Sequence, residues 1–179
     1  MADAGYPDGF KMTIHGPNDR YINDAKIAEA LAQMLNRVGI DASVETMPKA
    51  VYFKRASRGG PNKSPEFSFM LLGWGAGSGE ASSPLKALLH NYDKSKGMCA
   101  ANRGRHTDAK VDALIQKALA TVDADARGKL LAEATEKAVG ENYGVIPMHY
   151  QVNTWAAKKG YSYLPRTDER TIVTGLSGS

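Results

Sequence analysis

The chain predicts an α/β fold: an open, mostly parallel sheet flanked by helices. Three observations carry this. Alternating, amphipathic and again alternating segments follow one another within about 37 residues, the pattern of a βαβ unit with parallel strands and a right-handed crossover. A third strand candidate, Phe67 to Leu72 (FSFMLL), is apolar on both sides, as a central strand covered on both faces must be. A length of 179 residues, with 42% hydrophobic and 23% charged content, suits one domain with a sizeable core.

Each element has a local reason. Phe10-Lys11-Met12-Thr13-Ile14-His15 alternates apolar and polar residues, which reads as a strand broken by Gly16-Pro17-Asn18-Asp19. Asn23 or Asp24 can cap a helix whose apolar stripe is Ile27, Ala30, Leu31, Met34, Leu35 and Val38, with Gly39 placed to stop it. Ile40 to Thr46 alternates again. Pro48 suits the first turn of a short helix carrying Val51, Tyr52 and Phe53. Arg58 to Pro65 has loop composition. In the third strand, Phe67, Phe69 and Leu71 should face one way, and Met70 and Leu72 the other.

Further on, Asp108 caps a helix with Val111, Leu114, Ile115, Ala118 and Leu119 inward. A second helix, from about Asp125 to Glu141, turns Leu130, Leu131, Ala134 and Ala138 to the same core. Val145 to Val152 reads as an edge strand, because Pro147 has no N–H to donate to a ladder. Beyond Gly160 the periodicity fades.

Composition narrows the function classes. Lys and Arg number 23 against 19 Asp and Glu, a net charge of +4. The densest basic group, Lys94, Lys96, Arg103, Arg105 and Lys110, is not interleaved with aromatics, so it reads as a solvated surface and not as a nucleic-acid interface. The single Cys99 rules out an internal disulfide framework and a multi-cysteine metal site. No run of consecutive apolar residues approaches the length of a membrane span. Met1 to Pro7 lacks the character of a signal peptide, and the expectation is a mature segment or a cut piece of a longer protein.

In open α/β sheets, ligands sit beyond the carboxyl ends of the strands. Three loops qualify by sequence order: Gly16 to Arg20, Met47-Pro48, and Gly73 to Ser83. The third begins GWGAGSGE. Its glycines let backbone N–H groups approach a ligand, and Trp74 supplies a flat apolar surface; the competing role for Trp74 is core packing. Neither the phosphate-loop nor the dinucleotide glycine spacing is present, since the sixth position counted from Gly73 is Ser78 and from Gly75 is Glu80.

His15, His90, His106 and His149 lack metal-site spacing, and His15 and His149 fall on predicted strands as structural residues. Nothing beside Cys99 activates a thiolate, and Ser78 lacks the Gly-x-Ser-x-Gly frame. Arg103 and Arg105 precede a helix start, where they can hold an anionic group or pair with Glu80 or Asp108.

Several stretches, in this order, carry a resemblance: Ala4 to Phe10 (AGYPDGF), Asn18-Asp19-Arg20-Tyr21, Leu35 to Ile40 (LNRVGI), Leu72-Gly73-Trp74-Gly75, Asp108 to Ile115 (DAKVDALI) and Val145 to His149 (VIPMH). Spread over Ala4 to Asp168, they resemble the C-terminal lobe of the peptide/nickel-type periplasmic substrate-binding proteins of ABC importers, the oligopeptide- and dipeptide-binding family 5. The resemblance implies one lobe of a two-lobed periplasmic binding protein type II fold. Residues 1–179 would form the C-terminal ligand-binding lobe, with the N-terminal lobe outside this segment.

It also implies a periplasmic receptor that closes by hinge motion on a peptide or related small solute and delivers it to permease subunits. Neither catalysis, cofactor, metal nor nucleic acid is implied. The expected ligand-facing residues are Gly73, Trp74, Gly75, Ala76, Gly77, Ser78 and Glu80, with Arg103 and Arg105 for an anionic group. Peptide binders of the family typically carry an aspartate three residues after the tryptophan, where it meets the ligand's α-amino group; here that position is Gly77. An isolated lobe with an open cleft side is expected to self-associate. The competing classes are a hydrolase using Cys99 or Ser78 and a chaperone-like peptide-binding module.

Overall fold

The structure, a computed structural model, describes residues 1–57, 66–93, 95–166, 168 and 170–178. The loop expected over Arg58 to Pro65 lies outside the described residues. The chain divides into two compact units, Met1–Ile146 and Pro147–Ser179.

In the first unit, β1 (Phe10–Pro17), α1 (Asp24–Asn36) and β2 (Ile40–Met47) form the expected parallel βαβ unit, paired without interruption from Phe10↔Ile40 to Pro17↔Met47. β1 runs two residues further than its composition suggests. Gly16 and Pro17 continue the ladder and are buried rather than breaking it. The start of α1 also differs. Asn23 occupies the left-handed region and gives no side-chain cap, while the buried Asp24 carboxylate accepts from the backbone N–H of Arg20, Tyr21 and Ala25. The acid therefore fixes the loop before the helix, and a negative charge at a helix N-terminus is favoured besides.

Gly39, at φ 91, turns the chain back into β2. Next to it, a Cβ on Gly9 would lie 1.9 Å from the Gly39 carbonyl oxygen, so the Gly39 backbone leaves room only for glycine at position 9.

α2 (Lys49–Ala56) follows β2 directly, with Pro48 before its first turn. β3 (Phe69–Met70) pairs parallel to β1 at Ile14 and His15, and the Leu71 N–H adds a bond to the His15 carbonyl. The order is β2-β1-β3, so among the described residues β1 is the central strand and β3 an edge, reversing the expectation for FSFMLL.

Side-chain alternation then assigns the faces. Ile14, Ala42 and the partly buried Phe69 pack with Ala28 and Ala32 of α1, whereas Met47 packs with Tyr52 and Ala56 of α2, along with Phe67. Phe67 thus lies on the opposite side from Phe69, because the chain bends at Ser68 before the strand begins. Helices cover both faces, as expected. Tyr52 is 0% exposed and donates its hydroxyl to the Leu71 carbonyl at 2.6 Å, tying α2 to the end of β3.

A helical layer completes the unit. α3 (Ser82–Pro84) runs into a π-helical turn, Leu85–Leu89, which the sequence pattern did not reveal. α4 (Ala109–Ala120) starts at Asp108, whose carboxylate accepts from the N–H of Lys110 and Val111. α5 (Ala124–Thr135) is capped by Asp123 and continues as a π-helical segment, Glu136–Glu141. Leu85, Leu89, Val111, Ile115, Ala118, Leu131, Ala134 and Ala138 form their shared core. Leu119, expected inward, is exposed.

The strand expected over Val145 to Val152 does not form. Tyr150 is 98% exposed, and the segment has no ladder partner among the described residues. Val145, at its start, packs against the core of α4 and α5. In the second unit, β4 (Tyr161–Tyr163) pairs antiparallel with β5 (Leu176–Gly178), where no periodicity had been apparent.

Two expected outcomes follow from the packing. Tyr52→Phe removes the donor and leaves the Leu71 carbonyl unpaired, which should lower the unfolding free energy by about 1–3 kcal/mol in urea titrations. Gly9→Ala should be more damaging still and give little folded protein, because its Cβ would meet backbone with no flexible neighbour to yield.

Candidate ligand-binding site

The loops that follow β1, β2 and β3 converge, as the parallel sheet requires of strands whose carboxyl ends share one edge. They enclose an open groove of about 350 Å³. One wall is Arg20 and Tyr21, after β1. Phe53 of α2 and Arg103 form another, and Leu72 to Gly75 run along the base.

Gly73 leaves room for the Tyr21 ring. A Cβ there would stand 2.7 Å from the Tyr21 ring, and the Tyr21 hydroxyl donates to the Gly73 carbonyl at 3.3 Å. Trp74 is 46% exposed, so it is not a core residue. Gly75 and Gly77 face open space.

The two arginines of the groove lie against aromatic rings. The Arg20 guanidinium sits 5.1 Å from the Tyr21 ring centroid, and that of Arg103 sits 5.1 Å from the Phe53 centroid. Both separations are in the range of cation–π attraction. Arg103 is held by its loop. Asn102, 2% exposed, donates its amide to the carbonyls of His90 and His106 and accepts from the His106 N–H. Arg105 adopts φ 55 in the same loop.

Of the nine residues singled out from the sequence, Gly73, Trp74, Gly75 and Arg103 line this groove. Ala76, Gly77, Ser78, Glu80 and Arg105 lie outside its lining. Glu80 has a different engagement. Its carboxylate accepts from the Ser82 hydroxyl at 2.7 Å and from Arg127 Nε at 2.9 Å, and these two contacts hold its pKa below the ordinary value. The pairing considered between Glu80 or Asp108 and the two arginines is not seen. Glu80 binds Arg127, and Asp108 binds Asn142.

Arg20, Tyr21, Phe53 and Leu72 were not singled out as site residues. The signal was positional: Arg20 closes the first of the three qualifying loops, and Phe53 follows the second by a single helical turn.

Catalytic alternatives gain nothing from the geometry. Cys99 is buried, and Ser78 donates to the Glu80 carbonyl with no histidine as its hydrogen-bond partner. Among the described residues, no group of three His, Cys, Asp or Glu could hold a metal ion.

Comparison with known proteins settles the family. The sequence pattern of the bacterial extracellular solute-binding proteins, family 5, middle part, matches residues 1–96. The chain belongs to this family. Heme-binding protein A of Haemophilus influenzae is 27% identical over 140 residues, covering 75% of this chain and 23% of the relative. HbpA2 from Haemophilus parasuis superposes with a TM-score of 0.76 at 25% identity, covering 99% of this chain and 34% of that one. DppA from Helicobacter pylori, an ABC transporter-associated periplasmic binding protein in complex with the peptide STSA, gives a TM-score of 0.62 at 27% identity, over 75% of this chain and 24% of that one. This family 5 chain therefore spans about a quarter of the length of the curated relatives it matches.

The Glu80 contacts yield a pH-dependent expectation. A carboxylate whose pKa is lowered by folding stabilises the fold above its unfolded value, and that contribution is lost as pH falls. The stability difference between wild type and Glu80→Gln should therefore be present above the ordinary value of 4.5 and should shrink as pH drops below it, read by thermal unfolding across a pH series. Gly73→Ala should displace the Tyr21 ring, visible as altered Tyr21 ring resonances, with β1 to β3 intact.

Proposed function

We propose that this chain is the ligand-binding lobe of an extracytoplasmic receptor, which captures a peptide or related small solute and hands it to the permease of an ABC importer. One observation carries the reading: a family 5 chain with a groove at the shared carboxyl edge of three parallel strands, lined by an exposed tryptophan and glycine backbone. The groove combines apolar area with a few polar groups, as small-solute sites do. Relatives named as heme-, glutathione- and peptide-binding proteins support binding rather than catalysis and a periplasmic place of work.

In this reading Trp74 is a stacking surface, and the backbone of Gly73 and Gly75 donates to the solute. Ala76, Gly77 and Ser78 extend the loop toward a facing lobe. Glu80 acts indirectly, anchoring the loop through Arg127. Arg105 supports the turn that presents Arg103. The groove is open on one side, so it is half of a cleft, and the exposed half favours self-association of the chain at high concentration.

The test is native mass spectrometry of the 179-residue chain against di- to pentapeptides, glutathione and heme, with sedimentation over a concentration range. Weak, Trp74-dependent binding without turnover is expected, with dimers appearing as concentration rises. Tight binding unaffected by Trp74→Ala would overturn the half-cleft reading, and turnover of any panel member would favour a catalyst.

A further inference from the structure

The charge of the groove is one-sided. Its lining contains two guanidinium groups, Arg20 and Arg103, and no carboxylate. Glu80, the acid of the glycine loop, is engaged by Arg127 and Ser82. Gly77 offers no side chain. Neither groove arginine forms an ion pair among the described residues, whereas Arg55, Arg127 and Arg166 each do.

Arg103 is the informative one. Its Nε and Nη1 are buried and have no hydrogen-bond partner. A guanidinium has five N–H donors and no acceptor, so unpaired buried N–H groups carry a cost, one that Arg105, outside the groove, shares through its Nε and Nη2. Stacking on Phe53 satisfies the face of the group and leaves its donor edge unanswered.

We propose that the solute places an oxyanion, a carboxylate or a phosphate, against Arg103 and Arg20, with an adjoining flat apolar part packed on Trp74. This rests on the groove being the solute site. It assigns that site the polarity opposite to recognition of an amino terminus. An ammonium there would meet two cations and no counter-charge, and a desolvated unpaired ammonium is strongly disfavoured. An oxyanion in the groove meets two cations and no carboxylate, and gains charge-assisted hydrogen bonds from the guanidinium atoms it can reach.

The test uses the full chain carrying Trp155→Phe, so that Trp74 is the remaining tryptophan. Phenylacetate, phenyl phosphate and phenethylamine, equal in ring and different in charge, are titrated at fixed ionic strength while Trp74 fluorescence is followed. Both anions should perturb Trp74, with phenethylamine weaker by about tenfold or more. A preference for phenyl phosphate would identify a phosphate-bearing solute, and parity or preference for phenylacetate a carboxylate. Arg103→Gln should weaken both anions by about tenfold, and Arg103→Lys should restore only part, because the fork is lost. Arg20→Gln, at an exposed side chain, serves as the second variant should Arg103→Gln unfold.

Phenethylamine binding as tightly as the anions, or anion affinity unchanged in the arginine variants, would overturn this inference and leave the solute-binding reading standing. Silence of Trp74 toward all three probes would overturn both.

Discussion

The candidate site of the first unit depends on the parallel direction of three strands. Parallel pairing of β1 with β2 over eight residues, and of β1 with β3 beyond it, forces the three strand exits onto one edge of the sheet. The chain must then cross back over a face before each new strand, and α1 and α2 take opposite faces in doing so. Arg20, Phe53 and Trp74, widely separated in sequence, become neighbours around one groove for that topological reason. An antiparallel arrangement of the same segments would scatter them to two edges.

The βαβ core was legible because its signals are local and redundant. Alternation at Phe10 to His15 and at Ile40 to Thr46, with a helical stripe between, leaves little freedom once crossovers must be right-handed. Errors came where a residue's role is decided by distant partners. Gly16-Pro17 resembles a break, but β2 is available to pair with it. Val145 to Val152 resembles a strand, but among the described residues no neighbour completes it. Phe67 and Phe69 should share a face by parity, and a bend at Ser68 ends the parity.

The candidate site divides in the same way. Trp74 and its glycines stand out by composition, and their place after a strand follows from the pattern. Tyr21 and Phe53 do not stand out, since an aromatic in a loop or short helix is ordinarily read as packing. The partner of Glu80 lies 47 residues away on α5, and no sequence spacing predicts that a helix of the second layer will neutralise an acid in the loop. Arg103 was noticed for its position before a helix. What the structure adds is its ring partner and its unanswered donors.

The two ends of the glycine loop differ in how tightly the fold constrains them. At Gly73 even a methyl group meets the Tyr21 ring, so a substitution there has to move that side chain. At Gly75 and Gly77 nothing stands within 4 Å, so any side chain can be tried without disturbing the sheet. Side chains introduced at Gly75, which lines the groove, or at Gly77, just outside its lining, would therefore change the surface offered there while leaving the strands behind it as they are.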